Sequence, residues 1–350
     1  MLPSPSAAEL QDIVDRRGLC VTVYAETGPR AALDDAIHEA SLLLRRDEDD
    51  LTRSAILDRL REAASTVRTP VPAGAAIFAT ATDVRSIPLQ SSSAAVGAGA
   101  RVQVADRFLV APLLADLDSR IPVMVLALSQ NSVRLVDAGA EPPRVVAVPG
   151  MATSLRSFDD LDLTNDRQTL AHLRTSEEPT VRERQYVRAI DDAIAEVIDP
   201  EALLVVAAAE PLAGLFAELS RHPRLAEPGI AGNADESTPD ELALASLPAV
   251  EREREAVRHR QLTRLAEFPH RRLVTGDPAT VLAAGALGAL DTLFVDPGAP
   301  DADGYAEEAA RAAHAGDGRI VSASESELPE HAVATAILRY PVDADEPGVG

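Results

Sequence analysis

The chain has 350 residues, 46% of them hydrophobic and 25% charged, and 56 acidic against 33 basic side chains give it a formal charge of −23. That balance belongs to a folded protein with two or three cores, and a surface so acidic repels nucleic acid and anionic membrane as a whole. Every basic residue is Arg and none is Lys, which excludes a Walker-A phosphate loop, a kinase lysine, a Schiff-base lysine and a Ser-Lys dyad.

In chain order, the spacing predicts a helix over Ala7 to Arg17 and a strand over Leu19 to Ala25. Two helices follow, one on Leu33, Ile37, Ala40 and Leu44 and one on Ile56, Leu60, Ala64 and Val67, divided by the acidic break Asp47 to Asp50. Strands are expected over Ala75 to Ala81, Asp83 to Leu89 and Val102 to Val110, with a linker over Asp116 to Pro122. Val123 to Leu128 and Ser132 to Asp137 read as a hairpin, and Val145 to Val148 as a third strand. Met151 to Thr180 is a long polar segment without periodicity, of the kind usually functional or disordered. A helix on Val187, Ile190, Ile194 and Val197 then leads to the apolar strand Leu203 to Ala208, a helix over Leu212 to Leu219 and the loop Pro228 to Pro239. Glu251 to Phe268 reads as a charged helix, Thr280 to Ala289 as an Ala/Gly-rich one and Thr292 to Asp296 as a strand. Tyr305 to Ala315 (helix), Arg319 to Ser322 and Ala334 to Tyr340 (strands) complete an αβα sandwich. The fold class is therefore mixed α/β (α+β) in three modules. These are an N-terminal α+β domain at 1–120, a middle α/β domain at 121–250 and a C-terminal αβα domain at 251–343, with a loose tail at 344–350.

Cys20 is the single cysteine, has no disulfide partner and reads as a small buried hydrophobe. Residues 1–10 lack the pattern of a signal peptide, and no apolar run approaches the ~20 residues of a membrane span. The expectation is a cytoplasmic protein. Aromatics are 3% of the chain and Trp is absent, which disfavours base stacking as a binding mode.

Among residues that carry chemistry, Asp159, Asp160, Asp162 and Asp166 are the most metal-like. Counted from Asp160, the calcium-loop positions that need Gly and Glu hold Asn165 and Ala171, so a solvated acidic loop is favoured. A metal-dependent hydrolase using these acids with Asp137 ranks last among the functional readings. Histidines 38, 172, 222, 259, 270, 314 and 331 show no zinc spacing. The glycines at 97–99 and 316–318 do not form a nucleotide-binding fingerprint, and there is no nucleophile elbow. No metal, cofactor or catalytic residue is assigned.

One stretch opposes the global charge. Arg252, Arg254, Arg258, Arg260, Arg264, Arg271 and Arg272 lie within 22 residues that hold four Glu. Pairs such as Arg254/Arg258 and Arg260/Arg264 repel at i,i+4, a cost that a phosphate-facing stripe accepts. The alternative is a solvated helix neutralised by Glu251 and Glu255. Arg182, Arg184 and Arg188 form a weaker cluster with the same two readings.

The stretch "TGDPATVLAAGALGALDTLFVDPG", then "YAEEAARAAHAGDGRIVSAS" and "ATAILRYP", resembles the C-terminal domain of archaeal and eukaryotic release factors and Pelota. "VMVLALSQNSVRLVDAG", "RQYVRAIDDAIAEVI" and "LLVVAAAEPLAGLFAEL" resemble that family's middle domain, and "GAAIFATATDVRSIPL" with "RFLVAPLL" resemble the N-terminal pieces of its bacterial branch. The resemblance is colinear from about Leu19 to Tyr340. It implies a ribosome or rRNA as partner, with a translational GTPase beside it, and neither DNA nor membrane. The family's Gly-Gly-Gln, which orients water on peptidyl-tRNA, maps onto Met151 to Thr180 and is absent there; Gln168 follows Asp166 and Arg167 and lacks the glycines that allow close backbone approach. The codon-reading Asn-Ile-Lys-Ser is absent too. The implied function is a non-hydrolytic ribosome-associated factor of rescue, hibernation or stress, with the Arg252–Arg272 stripe on rRNA. An acidic protein–protein adaptor is the alternative.

Overall fold

Along strand β1 (Arg17–Glu26), Cys20 and Tyr24 point into one core while Val21, Val23 and Ala25 point into another. The two-residue period of an extended chain thus divides one apolar run between two faces of a sheet. In the computed structural model, which describes residues 5–26, 30–44, 49–66, 74–90, 100–140, 142–158, 179–297, 299 and 304–342, the chain forms two compact units. One is Ile121–Glu255 and the other joins Leu2–Arg120 with Ala256–Gly350.

In the second unit, α1 (Ala7–Asp15) starts at a Ser6/Glu9 capping box. The helices α2 (Arg30–Leu43) and α3 (Asp50–Thr66) bury Leu33, Ile37, Ala40, Ile56 and Leu60 against the Val21/Val23 face of β1. Strands β2 (Gly74–Ala79), β3 (Val84–Leu89) and β4 (Ala100–Arg107) complete an antiparallel sheet of order β3-β2-β1-β4. After β4 the chain turns into helix α4 (Ala111–Asp118), where the sequence reading continues a strand to Val110 and places a linker from Asp116. Ala111 to Asp116 are all buried, so α4 lacks the polar face that marks a helix in sequence.

In the first unit, β5 (Val123–Leu128) and β6 (Val133–Asp137) form the expected hairpin, and β7 (Arg144–Val146) pairs with β6. Helix α5 (Pro179–Ala195) precedes β8 (Leu203–Ala208), which lies parallel to β5 and is buried throughout. Helix α6 (Leu212–Leu219) packs Leu212 and Phe216 with Tyr186, Val187 and Ile190 of α5 over Leu126, Leu204 and Val206. The two-residue β9 (Ile230–Ala231) ends the order β7-β6-β5-β8-β9. Helix α7 (Pro239–Ala266) opens at a Thr238/Glu241 box and contains Pro248. It begins twelve residues ahead of the charged helix expected from Glu251, because that internal proline reads as a break.

The second unit resumes with β10 (Val274–Thr275), α8 (Pro278–Ala286), β11 (Leu290–Val295), α9 (Tyr305–Ala315), β12 (Arg319–Ser322) and β13 (Ala334–Leu338). The sheet order is β10-β13-β11-β12, with β11 and β12 parallel. One face buries Leu290, Leu293 and Ile320 with α8 and α9, while the other packs Phe294, Val321 and Ile337 with Leu265 near the end of α7. This is the αβα layering expected of the C-terminal region. Gly318 is needed just before β12, since a Cβ there would lie 2.8 Å from the Leu290 carbonyl.

The N-terminal and C-terminal stretches share a core: Cys20, Tyr24, Phe78 and Phe108 cluster with Val281, Ala309 and Ile320. Burial holds the Cys20 thiol up at about 11, as an inert hydrophobe requires. Tyr24 donates to the Leu109 carbonyl at 2.7 Å and meets Phe78 edge-on, and Phe78 meets Phe108 in the same way. Phe78→Ala is expected to cost about 3–5 kcal/mol, read as a lower urea midpoint with an unchanged slope.

Candidate functional site

The arginine stripe begins within the first unit. Arg252 donates to the Pro228 carbonyl at 3.1 Å, and Arg254, with its side chain 9% exposed, pairs with Glu251 at 3.2 Å. In the second unit, both Glu327 carboxylate oxygens accept from Arg258, at 3.1 and 2.9 Å. Arg264 reaches Asp291 at 2.8 Å and lies over the Phe268 ring. Arg260 and Arg272 are exposed, as are His259 and His270. The side chain of Arg271 falls outside the described residues. The helix therefore tolerates its like-charge pairs because carboxylates from elsewhere in the unit come to it. Glu327 and Asp291 lie 69 and 27 residues along the chain from their arginines, beyond the reach of any spacing rule.

Arg258 and the capping contacts of Ser324 hold the Glu327 carboxyl down at about 2, against an ordinary 4.5. A depressed carboxyl contributes stability above its unfolded pKa and loses it as pH falls through the folded one. Glu327→Gln is accordingly expected to flatten the pH dependence of the melting temperature between about pH 4.5 and 2 and to leave its shape above pH 5 unaltered, as followed by circular dichroism.

Of the weaker cluster, Arg184 of α5 makes two bonds to Glu218 of α6, at 3.0 and 2.6 Å, while Arg182 and Arg188 are exposed. The acids 159, 160, 162 and 166, with Gln168 and His172, lie outside the described residues. Asp137 forms the turn after β6, its Oδ1 accepting from the amides of Gly139 and Ala140 at 3.0 Å each. Among the described residues no three His, Cys, Asp or Glu side chains converge as a metal site would require, and no helix is long and apolar enough to cross a membrane.

The start of the polar segment begun at Met151 and the helix α5 that follows it are both held at the tip of the β5–β6 hairpin. The Gln130 carbonyl accepts from Leu155 at 2.9 Å and the Thr153 carbonyl accepts from Val133 at 2.8 Å. On the far side, Gln130 Nε2 donates to Glu183 at 2.9 Å and the Tyr186 hydroxyl donates to the Ser129 carbonyl at 2.8 Å. Phe158 and Tyr186 then meet ring to ring at 5.9 Å. Asp235 locks the tip, accepting from Ser129 Oγ at 2.5 Å and from Asn131 and Asn233; these bonds, Ser129's foremost, hold its carboxyl below the usual range. Spacing could not have revealed this knot, since Asp235 lies about a hundred residues from Ser129 and Asn131.

A feature absent from the sequence reading is a groove of about 790 Å³ at the carboxyl end of β8, between α6 and residues 225–232. Open α/β sheets commonly bind ligands at that end of their strands. Its only sequence signal is a run of small residues, Ala213, Gly214 and Ala217 on one wall and Gly229 and Ala231 on the other.

Residues 122–253 match the model of "Bacterial archaeo-eukaryotic release factor family 11". Solved structures similar to the chain include the archaeal translation termination factor aRF1, at 13% identity over 95% of this chain and 97% of that one, with a TM-score of 0.26. They also include a ribosome-bound archaeal Pelota and ABCE1 model at 12% identity, over 95% and 93%, with a TM-score of 0.44. Dom34 of S. cerevisiae, described as a translation termination-like factor, matches at 12% identity over 82% and 78%, with a TM-score of 0.36. No curated protein sequence matches.

Proposed function

We propose that this chain, a bacterial release-factor-like protein through its residues 122–253, is a ribosome-associated translation factor that docks without cutting peptidyl-tRNA. The observation that carries the reading is that match combined with the composition of the chain. None of its 19 glycines stands next to another, so a Gly-Gly-Gln tripeptide exists nowhere in it, and the backbone approach that the tripeptide provides is lost. Docking is the task left to such a scaffold, in rescue, hibernation or stress, with a translational GTPase as a further partner. The RNA-facing set proposed is Arg252, Arg254, Arg258, Arg260, Arg264, Arg271 and Arg272, supplemented by Arg182, Arg184 and Arg188. Exposure favours Arg260 and Arg272 within the second unit.

The test is co-sedimentation of the full chain with ribosomes through sucrose gradients at low and high salt, beside a peptidyl-tRNA release assay. Binding that falls steeply with salt and release at the uncatalysed level support the reading. Release above that level overturns the non-hydrolytic part. A second reading, an acidic adaptor working off the ribosome, is favoured by the carboxylate partners of Arg254, Arg258 and Arg264. Absence of ribosome binding even at low salt selects it.

A further inference from the structure

We propose that the groove between α6 and residues 225–232 is a docking site for an extended, lysine- or arginine-rich segment of another protein. This inference stands on the first unit alone and holds whether the chain works on the ribosome or off it.

Helix α6 covers β8, but the sheet continues one strand further to β9, the last in its order. The groove is the corner that α6 leaves open. Its floor is Val206 and Ala208 of β8, and its walls are Ala, Gly, Pro, Leu and Ile apart from two carboxylates, Glu210 and Glu227. Small walls let a second backbone come close, and an outermost strand offers a backbone edge that an added peptide can extend. Gly229 holds the outer wall tight against β8: a Cβ there would lie 2.3 Å from the Val206 carbonyl.

The charge decides what kind of chain fits. Neighbouring acids are neutralised from within, Glu218 by Arg184 and both Glu201 and Glu253 by Arg224. Among the described residues Glu210 instead accepts from the Gly214 amide alone, at 3.3 Å, and neither Glu210 nor Glu227 has a cationic partner. Arg252 meets the rim at the Pro228 carbonyl, where its bond is to backbone, so the rim keeps an excess of negative charge. Nucleic acid would set its phosphates against those two carboxylates, whereas a basic peptide pairs with them. This chain has no lysine of its own, so any lysine seated there comes from a partner.

The experiment titrates the full chain with a fluorescein-labelled decapeptide of alternating Lys and Ala, read by anisotropy at physiological salt. Two groove variants are compared, Glu210→Gln/Glu227→Gln and the charge-neutral filler Gly214→Leu/Ala217→Leu. Glu39→Gln/Glu62→Gln is the control, two exposed acids in the other unit. Both groove variants are expected to weaken binding at least about tenfold while the control stays within about twofold. Unchanged melting curves show that the variants fold. Equal losses in all three variants reveal diffuse attraction by the acidic body and overturn the proposal. So does tighter binding of a labelled oligouridine than of the peptide, concentration-dependent self-association abolished by the filler variant, or no peptide binding at all.

Discussion

Glu307→Gln is expected to destabilise the unit formed by residues 2–120 and 256–350 by about 3–5 kcal/mol, as breaking a buried ion pair by removing one partner does. Arg311 of α9 is a cation with 5% of its surface exposed, and burial pushes its pKa down while Glu307 opposes that shift. The guanidinium donates to the carbonyls of Val14 and Phe108 and, at 2.9 Å, to Glu307. Glu307 also accepts from the amides of Val110 and Ala111 at 2.8 and 3.0 Å, which caps α4 from a position 197 residues distant. Glutamine keeps one acceptor, turns an NH₂ group toward donors and leaves the buried cation uncompensated. Urea denaturation measures the loss; a change below about 0.5 kcal/mol, the size of an ordinary surface effect, contradicts the role given to the pair. The double variant Glu307→Gln/Arg311→Met is expected to lose less than the sum of the two single variants, since the second change removes the stranded charge.

Charge reversal on the surface proposed to face the ribosome carries the other large effect. Arg260→Glu/Arg272→Glu is expected to lower ribosome affinity by roughly a factor of a hundred at moderate salt and to flatten the dependence of log K on log salt by about two units, one for each phosphate no longer neutralised. Both side chains are exposed, and melting curves serve as the control for folding. Arg264→Glu is the informative comparison: its guanidinium is spent on Asp291 and the Phe268 ring, so reversal there is expected to cost stability first. Unaltered affinity and salt slope in the double variant remove the C-terminal arginines from the interface and leave the acidic adaptor as the better account.

Periodic apolar spacing was enough to find β1, the β5–β6 hairpin, β8, α6, α9 and the layering around the C-terminal sheet, because each buries a face that its own residues define. The ends of elements were less legible where a distant partner supplies the cap. Helix α4 shows why: its apolar residues surround it and its capping carboxylate belongs to α9. The colinear motifs that resemble a release factor, and the absence of Lys and of paired glycines, were also plain in the one-dimensional text.

Composition and local periodicity therefore settled the classes of element, and the colinear motifs carried the resemblance to release factors. Only the folded chain decided that the N-terminal and C-terminal stretches share a core, that Arg258 and Arg264 are held by Glu327 and Asp291, and that a groove opens beside β9. The reason is physical. Periodicity reports which residues face an interior, whereas a buried cation or an open corner is defined by groups that come together only when remote segments pack.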